Sequence, residues 1–266
     1  MKFMSLASGS NGNCYYIETE GAAVIIDAGI GGRTIKKRLS TAGVDMNGVM
    51  AVLVTHDHSD HIKGVGSLSE IFGKPVYSTE GILENMNKNY RMNPKVSPAS
   101  KRLIRKGEKF SLGDMEITAF PVPHDASDSV GYRIDCDGKS LALVTDAGVI
   151  TDEIVSMVND VDYLVIESNY DEVMLENGPY PLVLRNRITS GNGHLSNKQC
   201  AEFFCVNELK NLKKVFLCHL SAHNNTADSA FSCVRRGLDV MQERVGHDID
   251  LKVLPRLQPT EMFSLC

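Results

Sequence analysis

Thr55-His56-Asp57-His58-Ser59-Asp60-His61 closes an unbroken apolar run over residues 49–55. A run of that kind reads as a strand buried on both faces. Three imidazoles and two carboxylates then crowd into the positions directly after it. His56 and His58 are two apart, so an extended or turning backbone projects both to one side. Asp60 and His61 fall at the turn into the following helix and reach a second position. Imidazole and carboxylate are good ligands for zinc and similar divalent ions. A solvated polar turn is the ordinary reading of a single such histidine, but it does not account for H-x-H-x-D-H at a strand end.

Outward from this segment, strands and helices alternate. Strands are expected at 1–6, 14–19, 22–27, 75–78, 115–120, 161–167, 215–218 and 251–254. A hairpin is expected where 130–135 and 140–145 flank Asp137-Gly138. Helices are expected at 34–42, 61–72, 79–89, 151–159, 196–209 and 226–244, with Ser196 as an N-cap. Residues 170–193, rich in Gly, Pro and Asn, read as one long loop. An apolar strand runs into His56 in the first half and another into His219 in the second, which suggests two similar sheet-and-helix halves facing each other.

The 266 residues carry 42% apolar and 23% charged side chains, as an ordinary globular chain does. No linker or low-complexity tract divides them, so one domain over 1–266 is expected. The net charge of −5 argues against a strongly basic nucleic-acid-binding surface. A phosphodiester substrate stays open, because bound ions add local positive charge. The N-terminal apolar run is too short for a signal peptide, and no stretch approaches a membrane span. Seven cysteines, odd in number and without a C-x-x-C pair, are expected as free thiols in a reducing cytoplasm.

Four further positions repeat the strand-end pattern: Asp27 in Val24-Ile25-Ile26-Asp27-Ala28-Gly29, His124 in Pro121-Val122-Pro123-His124, Asp146 in Leu143-Val144-Thr145-Asp146-Ala147-Gly148, and His219 in Phe216-Leu217-Cys218-His219. Taken singly, each is more readily structural. In this order, and with the His56–His61 segment, the chain resembles the metallo-β-lactamase-fold hydrolases over nearly its whole length. The resemblance implies an α/β fold, a four-layer αββα sandwich of two mixed β-sheets flanked by helices. It implies two divalent ions, zinc by preference, with manganese or iron open. By it, His56, His58 and His124 would hold one ion, Asp60, His61 and His219 the other, and Asp146 would bridge. Asp27 would orient ligand histidines rather than bind. A metal-bridging hydroxide would then be the nucleophile, with Asp60 also placed to orient it.

Within that family the nuclease branch, including tRNase Z, fits best. A carboxylate is expected in place of a cysteine near the second ion, with no cysteine close to Asp146; Glu167-Ser168-Asn169 ends a strand, and Gly193-His194-Leu195-Ser196-Asn197 opens a helix. The resemblance gives His194 the role of proton donor to the leaving oxygen and Glu167 that of orienting it, although a helix-start polar residue and a strand-end charge are the plainer alternatives. His124 to Asp146 is 22 positions and Asp146 to His219 is 73, too few for a tRNase Z exosite arm or the β-CASP domain of RNase J-type nucleases. With Leu6-Ala7-Ser8-Gly9-Ser10-Asn11-Gly12-Asn13-Cys14, Gly178-Pro179-Tyr180-Pro181 and His219-Leu220-Ser221-Ala222-His223-Asn224-Asn225, the chain resembles the small, stand-alone bacterial YycJ/VicX-type proteins, which implies a nucleic acid substrate, DNA favoured over RNA, and 5′-to-3′ exonuclease action. Ser8, Ser10 and Asn11 in the Gly/Ser/Asn turn, Arg185 and Arg187 in the long loop, and Ser221 and His223 after a ligand are candidate substrate residues. Hydrolysis of a small phosphodiester, cyclic phosphate, lactone or thioester is the alternative, and a metal-binding regulator without turnover the second.

Overall fold

The computed structural model describes residues 1–266. Period-two alternation sorts its strands' side chains onto two faces. In β10 (Lys139–Val144), Leu141 and Leu143 enter one core, Ala142 and Val144 the other. In β11 (Tyr163–Glu167) Val165 faces the first core and Leu164 and Ile166 the second, and in β12 (Lys214–Cys218) Phe216 alternates with Val215 and Leu217 in the same way. Strands apolar on both sides need a layer on each, and here those layers are a second sheet and a set of helices.

The first mixed sheet has the order β14-β1-β2-β3-β4-β5-β6: β1 (Lys2–Gly9), β2 (Gly12–Glu18), β3 (Ala23–Ile26), β4 (Ala51–Leu53), β5 (Val76–Ser78), β6 (Lys101–Leu103) and β14 (Phe263–Ser264). The second has the order β13-β12-β11-β10-β9-β8-β7, adding β7 (Lys109–Leu112), β8 (Met115–Pro121), β9 (Val130–Cys136) and β13 (Asp250–Val253). In each, the strands on one side run parallel (β3 to β6, β10 to β13) and the rest antiparallel. Helices α1 (Gly32–Thr41) and α3 (Val65–Glu70) pack on the first sheet through Ile35, Leu39, Val65 and Leu68. Helices α5 (Asp152–Val158), α8 (Asn197–Val206) and α9 (Ala227–Val245) cover the second through Ile154, Phe204, Val234 and Leu238. This is the expected αββα sandwich. No helix is long and apolar enough to cross a membrane.

The structure departs from expectation in four places. The helix expected at 61–72 is split into α2 (Ser59–Ile62) and α3, because Gly64 turns its N–H to the Ala28 carbonyl at 2.6 Å. The loop expected at 170–193 contains α6 (Glu172–Asn177), capped by Asp171 accepting from Val173 and Met174 N–H, and α7 (Leu182–Ile188), entered through Pro181. Strands β6, β7 and β14 were not anticipated: they are short edge or near-edge strands with exposed polar faces and carry no apolar run. The helix at 79–89 shortens to α4 (Glu80–Asn85) followed by a 3₁₀ turn, Met86–Lys88.

Candidate metal centre

Asp27, Asp146 and His219 lie at or just past the ends of β3, β10 and β12, with φ of 59°, 55° and 54°. That left-handed region costs a non-glycine residue about 1–3 kcal/mol, and Asp, Asn and His enter it most readily. The turn takes each side chain off its strand's path, Asp27 toward Thr55 and His61, Asp146 across to His61, and His219 toward Glu167 and Asp146. His56 follows β4, and His58 and Asp60 flank the start of α2. Gly29 lets these segments nest, since a Cβ there would overlap the Asp60 carbonyl oxygen.

Buried carboxylates set the imidazole orientations. Asp27, fully buried, accepts from Thr55 N at 2.8 Å, from Thr55 Oγ1 at 2.7 Å and from His61 Nδ1 at 2.7 Å, which turns His61 Nε2 toward Asp146 Oδ2 at 3.2 Å. Thr55 Oγ1 also lies 3.0 Å from His56 Nδ1. Glu167, likewise buried, has Oε1 2.8 Å from His219 Nδ1 and 2.9 Å from His194 Nδ1, while its Oε2 accepts from Ala147 N and Leu195 N. His124 Nδ1 donates to the Gly193 carbonyl at 3.0 Å, leaving its Nε2 3.2 Å from His58 Nδ1.

The side chains left facing one another fit divalent ions. His56, His58 and His124 form one group, and Asp60, His61 and His219 another. Within each group the potential ligand atoms lie within 4.8 Å of one another. Asp146 stands between them, Oδ1 3.8 Å from His124 Nε2 and 3.3 Å from His219 Nδ1, Oδ2 beside His61. His56 Nε2 and His219 Nε2 are buried without a hydrogen-bond partner. A buried nitrogen so left forfeits about 1–3 kcal/mol, which coordination would recover. Burial, and after it the charge of His61, drives the His56 pKa well below the ordinary imidazole value. Burial also opposes charge on His219, yet Asp146, Asp60 and Glu167 push it up to about 10. The excess of buried carboxylates draws in positive charge, whether protons or metal ions.

The centre opens into a cleft of about 220 Å³ lined by Ser10, Asp125, Tyr180, Arg187, His194 and Ser221 along with His58, Asp60, Asp146 and His219. The structure thus brings together His56, His58, Asp60, His61, His124, Asp146 and His219, with His194 and Glu167 beside them and Asp27 behind. Other expected site residues lie elsewhere. Ser8 is fully buried and cannot touch a substrate: its Oγ contacts Tyr15 Oη at 2.9 Å and accepts from His219 N at 2.9 Å, so it positions the histidine. Arg185 hydrogen-bonds the Glu176 carbonyl and lines a different, outer cavity with Glu172 and Leu182. Asn11 lines a small neighbouring pocket with Arg256. His223 is exposed, its ring 5.8 Å from that of Tyr180 at the cleft rim. Cys218 is buried with its thiol toward the Val144 carbonyl and belongs to neither group.

Three site residues were missed. Asn13 Nδ2 lies 2.9 Å from His61 Nε2 and 3.5 Å from Asp60 Oδ2. Asn169 Nδ2 donates to the His219 carbonyl at 2.7 Å. Asp125 Oδ1 lies 3.5 Å from His124 Nε2 and takes both Arg187 Nε and Nη2. Each is adjacent to, or inside, a quoted motif, but only tertiary contact separates it from its neighbours.

Two facing seven-stranded sheets, with a histidine and aspartate cluster at their strand ends, define a metal-dependent hydrolase of the metallo-β-lactamase fold. Residues 23–219 match the family described as Beta-lactamase superfamily domain. Solved structures share the fold: the metallo-beta-lactamase fold protein YhfI of Bacillus subtilis (TM-score 0.70, 15% identity, 98% of this chain and all of that one) and Zn(2+)-bound PqqB of Methylobacterium extorquens (TM-score 0.70, 16% identity, all of both chains). Exodeoxyribonuclease WalJ of Streptococcus pneumoniae is 36% identical over 252 residues, 95% of this chain and 93% of its own. Exodeoxyribonuclease YycJ of Bacillus anthracis is 33% identical over 263 residues, 97% and 98%. The chain belongs to the metallo-β-lactamase superfamily and, within it, to the family of these WalJ and YycJ relatives.

Proposed function

We propose that this chain is an exodeoxyribonuclease that works with two divalent ions, zinc by preference. The observation that carries the reading is Asp146 standing between two three-residue groups, each able to hold one ion. His56, His58 and His124 would hold the first ion, Asp60, His61 and His219 the second, with Asp146 shared. Imidazole-rich, carboxylate-containing sets suit zinc, and manganese or iron less well. Two bound divalent ions supply Lewis acidity and a nucleophile active at neutral pH, and they suit in-line displacement at phosphorus.

The chain's own residues do the rest. Glu167 takes the Nδ1 side of His194, so the opposite ring nitrogen is free to protonate the leaving oxygen; such help is worth about 10²–10⁴-fold. Asp60, partly exposed to the cleft, orients the attacking group. Arg187 and Ser221 on the cleft wall meet the phosphate. DNA rather than RNA is favoured by the activity for which the relatives are named. The reading takes residues 1–266 as one domain without a substrate-binding insertion, since the β9–β10 hairpin fills most of the span from His124 to Asp146. Seven free cysteines support a reducing, cytoplasmic setting.

The test is purified protein of measured metal content, given end-labelled single- and double-stranded DNA, matched RNA and bis-p-nitrophenyl phosphate. Stepwise shortening of DNA that stops on chelation is expected, and labelled ends report its direction. Protein with two ions that leaves every DNA intact would overturn the reading.

A further inference from the structure

The acidic net charge hides a segregated basic strip. Residues 85–107 hold seven of the chain's 28 lysines and arginines and none of its 33 acids. Arg105 and Lys106 pair with Glu108 and Asp128. Lys88, Arg91, Lys95, Lys101 and Arg102 meet no carboxylate. Four of these five are exposed and Lys101 is half-buried; their hydrogen bonds go to neutral groups, such as Lys88 to Asn85 Oδ1 at 2.8 Å and Arg102 to the Ala99 carbonyl at 2.7 Å. Cations without partners keep their charge available for another molecule.

The strip starts at the metal-binding segment and runs to the sheet edge at β6. Asn89 Nδ2 donates to the Asp57 carbonyl at 3.2 Å, and Arg91 Nη1 lies 3.4 Å from Ser59 Oγ, between His58 and Asp60. The backbone is pinned: Met92 is buried, Asn87 makes paired bonds with Val96, and Gly66 lets the Pro94 carbonyl approach so closely that a Cβ would overlap it. On this rigid loop Tyr90 is 81% exposed, with the Arg91 guanidinium 5.7 Å from its ring centre. An apolar ring held in water beside cations is the combination that binds single-stranded nucleic acid, where bases stack on aromatics and phosphates follow the charge.

We infer that Tyr90, Arg91 and Lys95 form the entry track along which a single DNA strand reaches the metal cleft, with Lys101 and Arg102 continuing it. This inference rests on the nuclease reading. Duplex DNA hides its base faces from Tyr90, so the track favours single strands.

The test uses the metal-loaded full chain and a fluorescein-labelled oligothymidylate with phosphorothioate linkages, its affinity followed against salt. For single strands the log–log slope is about 0.7 per phosphate neutralised by a protein cation. Arg91→Ala/Lys95→Ala is therefore expected to flatten it by about 1.4, and Lys198→Ala/Lys210→Ala, which removes the same charge from the second half, to leave it unchanged. Tyr90→Ala should weaken binding about tenfold and Tyr90→Phe should restore it. Equal slopes in the two double variants, undiminished binding by Tyr90→Ala, or equal losses on a polyglutamate probe would overturn the track. Cleavage of the unmodified strand by the parent protein is read in parallel. Cleavage with an inert strip sinks the track alone; absent cleavage sinks the nuclease reading, while the binding data still decide the track.

Discussion

Glu167 and His194 are joined through Oε1 and Nδ1 at 2.9 Å, the carboxylate fully buried and the imidazole facing the cleft. The same oxygen holds His219 at 2.8 Å. One carboxylate therefore serves a proposed proton donor and a proposed metal ligand, and substitutions separate the two roles. His194→Ala should keep both ions and slow DNA cleavage by about 10²–10⁴-fold. The loss should shrink as the leaving group of an aryl phosphodiester improves, because a good leaving group needs no proton. Rates that fall equally for every leaving group would rule out the donor role. Glu167→Gln should lose metal as well, by about 10–100-fold in affinity, read by elemental analysis after dialysis.

Asp27 makes three hydrogen bonds beneath His56 and His61 and touches none of the cleft. Asp27→Ala should leave Thr55 N and His61 Nδ1 without their buried acceptor, at about 1–3 kcal/mol for each orphaned group. Two effects are expected together: a lower thermal midpoint even with metal absent, and metal affinity weakened about 10–100-fold. Asp27→Asn should recover part of the stability and little of the affinity, since an amide is a weaker acceptor for His61. An unchanged midpoint in metal-free protein would show that Asp27 does not order the segment.

The fold and the clustering of the seven histidines and aspartates were legible because His56, His124, Asp146 and His219 follow apolar strands, and the short H-x-H-x-D-H spacing carries His58, Asp60 and His61 along with His56. Asp27 was legible from its position as a strand-end carboxylate, while its supporting place beneath His61 was an expectation of the family resemblance, and its bonds to Thr55 and His61 agree with it. Asn13 and Asp125 were not: their partners His61 and Arg187 stand 48 and 62 positions away, and sequence spacing carries no such contact. Ser8 was misjudged because a Gly/Ser/Asn turn looks open in sequence, whereas here β1 and β2 carry it under Tyr15 and His219. Helices α6 and α7 were hidden by Gly178, Pro179 and Pro181, which break the run between them but leave each short segment helical. The net charge of −5 likewise conceals a strip whose cations are contiguous.

Removing the ions should expose the electrostatic burden of the centre. Asp146 lies within 4 Å of His61, His124, His194 and His219, and His56 Nε2 and His219 Nε2 are buried without a hydrogen-bond partner. Ligand that binds only the folded state stabilises it by RT ln(1 + [L]/Kd), about 4 kcal/mol at a thousandfold excess over Kd. Chelation should therefore lower the thermal midpoint by several degrees, and zinc should restore it with a concentration dependence. Loading should weaken as pH falls, because protons compete for the imidazoles. A midpoint indifferent to chelator at neutral pH, in protein shown to have held metal, would mean the sandwich does not depend on its centre for stability.

Arg187 holds Asp125 through Nε and Nη2, and Asp125 in turn stands 3.5 Å from His124 Nε2 and 3.8 Å from His58 Nε2. The guanidinium thus neutralises an acid beside the first three-histidine group and presents its remaining donors to the cleft. Arg187→Ala should strip the cleft wall of a cation and leave Asp125 uncompensated, so an incoming phosphate meets a net negative rim. The expected result is a higher KM for DNA with a smaller change in kcat, and little effect on a small aryl diester. Arg187→Lys keeps the charge but not the two-pronged geometry, and should fall between the two. Asp125→Asn in the Arg187→Ala background should recover DNA affinity by removing the unbalanced acid. If that double variant binds DNA no better than Arg187→Ala alone, the arginine acts on the substrate directly and its pairing with Asp125 is incidental.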